Sequence, residues 1–138
     1  MGKGIRYTVL VLLLLAFTGC SNPPVKLEIG ESQRFSEEEI RSAAQLVTES
    51  FSFPSAELTK VSYDEETSEK LAAGYISHGK GQQNGARFEN VLVLLSEFQV
   101  DDSGDNPVLN PGSTYTDFQW ILVRESETGA WVIDDWGY

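Results

Sequence analysis

The segment from Thr114 to Tyr138 constrains this chain more than any other, because it holds all three tryptophans in two strand-like runs joined by a polar turn. Phe118, Trp120 and Leu122 alternate with Gln119, Ile121 and Val123, the period of two that a pleated strand imposes. Ser126-Glu127-Thr128-Gly129 reads as a tight turn, with glycine where a positive φ is most needed. The chain then returns as Trp131 to Trp136. If Glu125 faces Ala130, then Trp120, Leu122, Trp131 and Ile133 share one face, because directly opposed residues of a hairpin point the same way. A sheet with an aromatic face needs something to cover it.

The cover is expected from Ser36-Glu37-Glu38-Glu39-Ile40. Ser36 and Glu39 form a capping box, Phe35 and Ile40 the accompanying hydrophobic staple, and Ile40, Ala43, Ala44, Val47 and Phe51 recur at helical spacing. Pro54 closes this helix. A strand follows over Leu58–Tyr63, with Thr59, Val61 and Tyr63 on one side. A short helix is expected from Asp64 to Ala73, with Asp64 as cap and Gly74 as stop. Ile76–Ala86 reads as a polar, glycine-rich loop, and Arg87–Val100 as the longest strand, apolar on both faces and therefore central. The closely spaced later strands must be antiparallel, since a parallel crossover needs a dozen or more residues. The fold class is α+β, an N-terminal helix on a curved antiparallel sheet of about four strands, close to an NTF2-like or cystatin-like half-cone.

At 138 residues, 41% of them hydrophobic, the chain has room for one domain with a modest core. Its N-terminus is an export signal. Lys3 and Arg6 precede the apolar run Tyr7–Phe17, which is short for a bilayer span, and Phe17-Thr18-Gly19-Cys20 resembles the bacterial lipobox. Cys20 is the sole cysteine, so it is the expected lipidation site, the alternative being ordinary signal cleavage with a free thiol. The division is residues 1–19 signal peptide, 20–34 lipidated N-terminus and tether, and 35–138 a single domain. This places the protein outside the cell, anchored to the outer face of the membrane. Removing residues 1–19 leaves 8 basic against 21 acidic residues, a net charge of −13, which excludes a general nucleic-acid binder.

Candidate chemistry is sparse. His78, the only histidine, has no cysteine or serine motif near it, and a solvated loop residue is its simplest role. The stretch from Gly79 to Gly85 lacks the ending of a phosphate loop. Asp101, Asp102 and Asp105 are a weak calcium candidate, because their spacing is not that of an EF-hand. Asp134 and Asp135, with Glu97, are possible paired carboxylates, but neighbours on a strand point to opposite faces, so at most one of the two aspartates joins a given pair. Tyr75, Phe118, Trp120 and Trp131 are candidates for lining a pocket inside the cone. No cofactor is called for.

Leu94-Leu95-Ser96, Phe98, Val100-Asp101, Leu109-Asn110-Pro111, Ser113–Thr116, Trp120–Arg124 and Asp134–Tyr138 together resemble a family of bacterial exported proteins of unknown function. The likeness runs from about Gly30 to Tyr138. It implies a lipoprotein signal and a fold similar to the NTF2-like group, and it carries no catalytic residues. The leading functional expectation is a non-catalytic domain that binds an envelope protein or a small ligand. The alternatives are a small carboxylate-dependent enzyme and a protein–protein module using a sheet face or edge.

Overall fold

A computed structural model describes residues 22–138. Lipidation at Cys20 and the signal segment lie outside the described residues. Five strands form one open sheet in the order β1 (Lys26–Ile29), β2 (Ala56–Tyr63), β3 (Val91–Val100), β4 (Thr114–Val123) and β5 (Val132–Gly137). Three helices accompany it: α1 (Glu37–Ser50), α2 (Glu65–His78) and α3 (Lys80–Asn84). The class is mixed α+β, with five strands rather than about four, and a strand rather than a helix comes first.

That first strand lies where a tether was expected. Leu27 and Ile29 alternate with Lys26 and Glu28, and β1 pairs with β2 in parallel, from Lys26 opposite Lys60 to Ile29 opposite Tyr63. Parallel pairing is possible here because α1 lies in the connection between the two strands. The remaining pairs, β2–β3, β3–β4 and β4–β5, are antiparallel as expected.

Helix α1 begins as its sequence dictates. Ser36 Oγ accepts from the Glu39 amide at 3.2 Å, and the Glu39 carboxylate accepts from the Ser36 amide at 2.7 Å. Ile40, Ala43, Ala44 and Val47 are buried against Leu92, Leu94, Phe98, Phe118, Trp120 and Leu122 on one sheet face. Trp131 and Ile133 pack on this same face, as the hairpin argument requires. Burying an Ile or Val side chain is worth about 1.5–3 kcal/mol, so this face holds α1 in place.

The other sheet face is covered by α2, where Ala72 and Tyr75 meet Val91 and Val93. Here the expected stop at Gly74 fails. A Cβ at Gly74 would meet nothing within 4 Å, so this glycine is an ordinary exposed helical residue, and packing on either side carries the helix on to His78. The segment expected to be a loop is thus the end of α2 followed by α3. Gly85, left-handed at φ 66°, closes α3. The long strand begins at Val91 rather than Arg87, because Phe88–Asn90 form a 3-10 turn.

Three register shifts bend the sheet. The one in β2, between Leu58 and Lys60, turns Thr59 out to solvent while Leu58, Val61 and Tyr63 stay buried, against the alternation expected for Thr59. A second lies between Ser96 and Phe98, opposite Asp117, whose φ is 57°. The third, in β5, shapes the site.

Candidate functional site

Along the β4–β5 pair, Leu122 faces Ile133 but Ile121 faces Asp135, so Asp134 is an extra, bulged residue. The bulge breaks strict alternation. Asp134 reaches across to α2, and Asp135, opposite the α2-facing Ile121, lies on that same side. The expectation that the two aspartates point to opposite faces is therefore overturned. The Tyr75 phenol donates to the Asp134 carboxylate, Asn84 Nδ2 donates to it at 3.3 Å, and Lys80 Nζ bonds the Asp134 backbone oxygen at 2.6 Å. Burial, then the hydrogen bond and charge of Asp134, push the Tyr75 phenol well above its ordinary pKa. Tyr75 therefore stays a neutral donor, and the engaged Asp134 carboxylate acts as a latch between α2, α3 and β5.

Beside this latch lies a cleft of about 600 Å³, walled by Ala86, Val123 and Val132 and bordered by Tyr75, Asn84, Asn90 and Arg124. A second cleft of about 490 Å³, lined by Arg34, Glu39, Phe88, Glu89 and Arg124, adjoins it. Arg124 belongs to both.

The two arginines are held by aromatic rings. The Arg124 side chain is 6% exposed, pairs with Glu39 at 2.5 Å, and lies over the Trp131 ring at 4.6 Å and the Phe35 ring at 5.5 Å. Arg34 lies over Phe88 at 4.1 Å and Phe35 at 4.8 Å, and its Nη2 donates to the Phe88 carbonyl at 2.7 Å. Burial opposes ionisation of Glu39, but the bonds from Arg124 and Ser36 outweigh it and hold its carboxyl below the ordinary range. Among the described residues, the buried side-chain polar atoms without a partner are Arg34 Nη1, Asn90 Oδ1 and Arg124 Nε. Their residues border the 3-10 turn: Arg34 Nη2 bonds the Phe88 carbonyl, Asn90 belongs to the turn, and the Arg124 backbone amide bonds the Asn90 carbonyl at 3.0 Å.

A family match over residues 34–137 is to a domain of unknown function, DUF4829. The chain belongs to this family. No curated protein and no solved structure matches it. The DUF4829 span, residues 34–137, includes both Arg34 and Asp134, so every residue of the two clefts falls inside it, while β1 falls outside.

The structure does not gather the four aromatic residues expected to line a pocket in this DUF4829 domain. Phe118 and Trp120 pack in the core, ring centroids 5.7 Å apart, and fill the space under α1. Trp131 meets Phe35 at 5.6 Å, and Tyr75 is on the opposite sheet face. The weak calcium candidate does not converge either. Asp101 accepts from the Ser103 hydroxyl and, at 3.0 Å, its amide, and among the described residues no group of three or more His, Cys, Asp or Glu side chains is set to hold a metal ion. His78 is the last residue of α2, exposed. The residues that sequence reasoning missed are Arg34, Asn90 and Arg124. One signal was available: Arg124 has the same parity as Trp120 and Leu122, so it is an arginine on the core-facing side of a strand.

Proposed function

We propose that this protein is a lipid-anchored, non-catalytic binding domain on the outer face of the bacterial cell membrane, and that its ligand enters the cleft between α3 and the β4–β5 hairpin. The observation that carries the binding reading is the cleft of about 600 Å³ with apolar walls and an unpartnered, buried Asn90 at its border. Ligand sites are concave, mostly apolar and furnished with a few polar anchors. The latch supports a non-catalytic role, because the Asp134 carboxylate is already held by Tyr75 and Asn84. The export signal and Cys20 support the anchor. Helix α1 laid across strands bent by three register shifts supports the finer reading of an NTF2-like or cystatin-like half-cone, with its interior filled.

A second reading, docking of a protein on the C-terminal edge, is favoured by Trp136 and Tyr138, which are 57% and 72% exposed at the end of β5. It is weakened along the edge itself, because Lys80 takes the Asp134 carbonyl and Asp135 takes the Trp136 amide.

Two measurements test the reading. Cys20→Ala should release the protein from the membrane fraction and abolish labelling by a fatty-acid analogue. A variant that still sediments with membranes would refute the anchor. Thermal melts of the intact chain across a small-molecule panel should give a hit that Asn90→Ala removes, since a ligand at a hundred times its Kd adds about 2.7 kcal/mol. A hit indifferent to Asn90→Ala and to Val123→Ala would place binding elsewhere.

A further inference from the structure

The arginine end of the two clefts specifies a ligand chemistry more closely than the walls do. Arg34 Nη1 and Arg124 Nε are buried N–H donors with no acceptor, on side chains 13% and 6% exposed. Both guanidinium groups lie over the same Phe35 ring, at 4.8 and 5.5 Å, and both line the smaller cleft. Native structures keep few unpaired buried polar atoms, and three of them around one turn indicate a missing partner. Asn90, the last residue of that turn, is 8% exposed, and its side-chain oxygen is unpaired. Turned over, it presents an NH2 there, a third donor.

Charge narrows the partner. Arg124 is balanced by Glu39, but Arg34 has only a long contact of 3.8 Å to the half-exposed Glu69. Glu89 is taken by Arg87 at 2.5 Å. Arg34 thus has the weaker counter-charge of the two, and two guanidinium groups suit a planar, two-oxygen anion. Glu89 and Glu127 on the rim repel any ligand with several negative charges. We propose that this site binds a single carboxylate, borne on an otherwise neutral or cationic body that extends into the larger cleft. This assignment rests on the binding reading above. The carboxylate could belong to a small free acid or to the C-terminus of a short peptide, since both present the same two oxygens.

The test is an NMR titration of the intact chain in mild detergent, reading the side-chain N–H signals of Arg34, Arg124 and Asn90. The probes are acetate, an acetylated dipeptide with a free C-terminus, the same dipeptide as its amide, and inorganic phosphate. Saturable movement of the Arg124 Nε–H with acetate and the free dipeptide, and none with the amide or phosphate, is expected. Tighter binding of the dipeptide than of acetate identifies a peptide terminus, and the reverse a small acid. Arg34→Lys, which keeps the charge but loses Nη1, should weaken binding at least tenfold. It leaves the Glu39–Arg124 pair intact but also removes the Nη2 bond to the Phe88 carbonyl, so a thermal melt of the variant accompanies the titration, and lost binding by a folded variant reports recognition. Signals that ignore every carboxylate, or that follow phosphate and chloride equally, would overturn the assignment. In that case a bound water satisfies these atoms. A hit in the larger cleft with these signals unmoved would sink the carboxylate site alone. No hit from any probe or panel compound would sink both readings.

Discussion

Tyr75→Phe isolates the latch that ties α2 to the β5 bulge. The substitution keeps the ring that packs on Ala72, Val91 and Val93, so it opens no cavity of consequence, and it removes one hydrogen bond to a carboxylate. Bonds to charged groups contribute about 1.5–3 kcal/mol. Asp134 keeps Asn84 and Lys80, which places the loss near the lower end, about 1.5–2 kcal/mol. For a domain of this size, that lowers Tm by roughly 5–8 °C. The pH dependence has a definite sign. The folded-state pKa of Tyr75 is raised above its unfolded value near 10, so its contribution is complete below about pH 10 and is lost as the pH rises further. The Tyr63 phenol is also raised, chiefly by burial, so the informative quantity is the difference between parent and variant. Urea unfolding followed by tryptophan fluorescence at pH 7 and over pH 9–11.5 measures it. The gap should be constant up to about pH 10 and shrink above it. Equal stability at pH 7, or a gap that persists undiminished at pH 11.5, would refute the reasoning.

Two further substitutions probe the same packing. Glu39→Gln leaves the buried Arg124 without its counter-charge and should cost roughly 2 kcal/mol, less than for a fully buried pair because Glu39 is a third exposed. Since the Glu39 pKa is lowered on folding, the parent's advantage should be present above about pH 4.5 and vanish as the pH falls, which acid titration of both proteins by circular dichroism checks. Gly81→Ala drives a Cβ into the Tyr75 ring at Cε1, and should destabilise by about 1–3 kcal/mol in a thermal melt, an effect that Tyr75→Phe does not relieve because the ring remains.

Much of the fold was legible because its signals are local. The Ser36–Glu39 box spans one helical turn, and the alternation of Trp120, Leu122, Trp131 and Ile133 spans one hairpin, so both can be read without knowing the rest of the chain. The misreadings have the opposite character. Leu27 and Ile29 become a strand only because β2 offers its edge, four residues being too few to hold a strand alone. Gly74 fails to stop α2 because packing by Ala72 and Tyr75 outweighs the roughly 1 kcal/mol that a helical glycine costs. Thr59 turns outward because of a register shift that no period-two count contains.

The site divides along the same line. By its sequence alone the chain determined an acidic α+β domain and a capped helix over an aromatic sheet face, each set by residues within a few positions of one another. The tertiary structure decided the rest. A single bulged residue turned Asp134 toward Tyr75, and the 3-10 turn brought Arg34, Asn90 and Arg124 together from three separate stretches of chain. Such a meeting depends on how distant strands pack, and a side chain's unsatisfied hydrogen bonds exist only once its neighbours are in place.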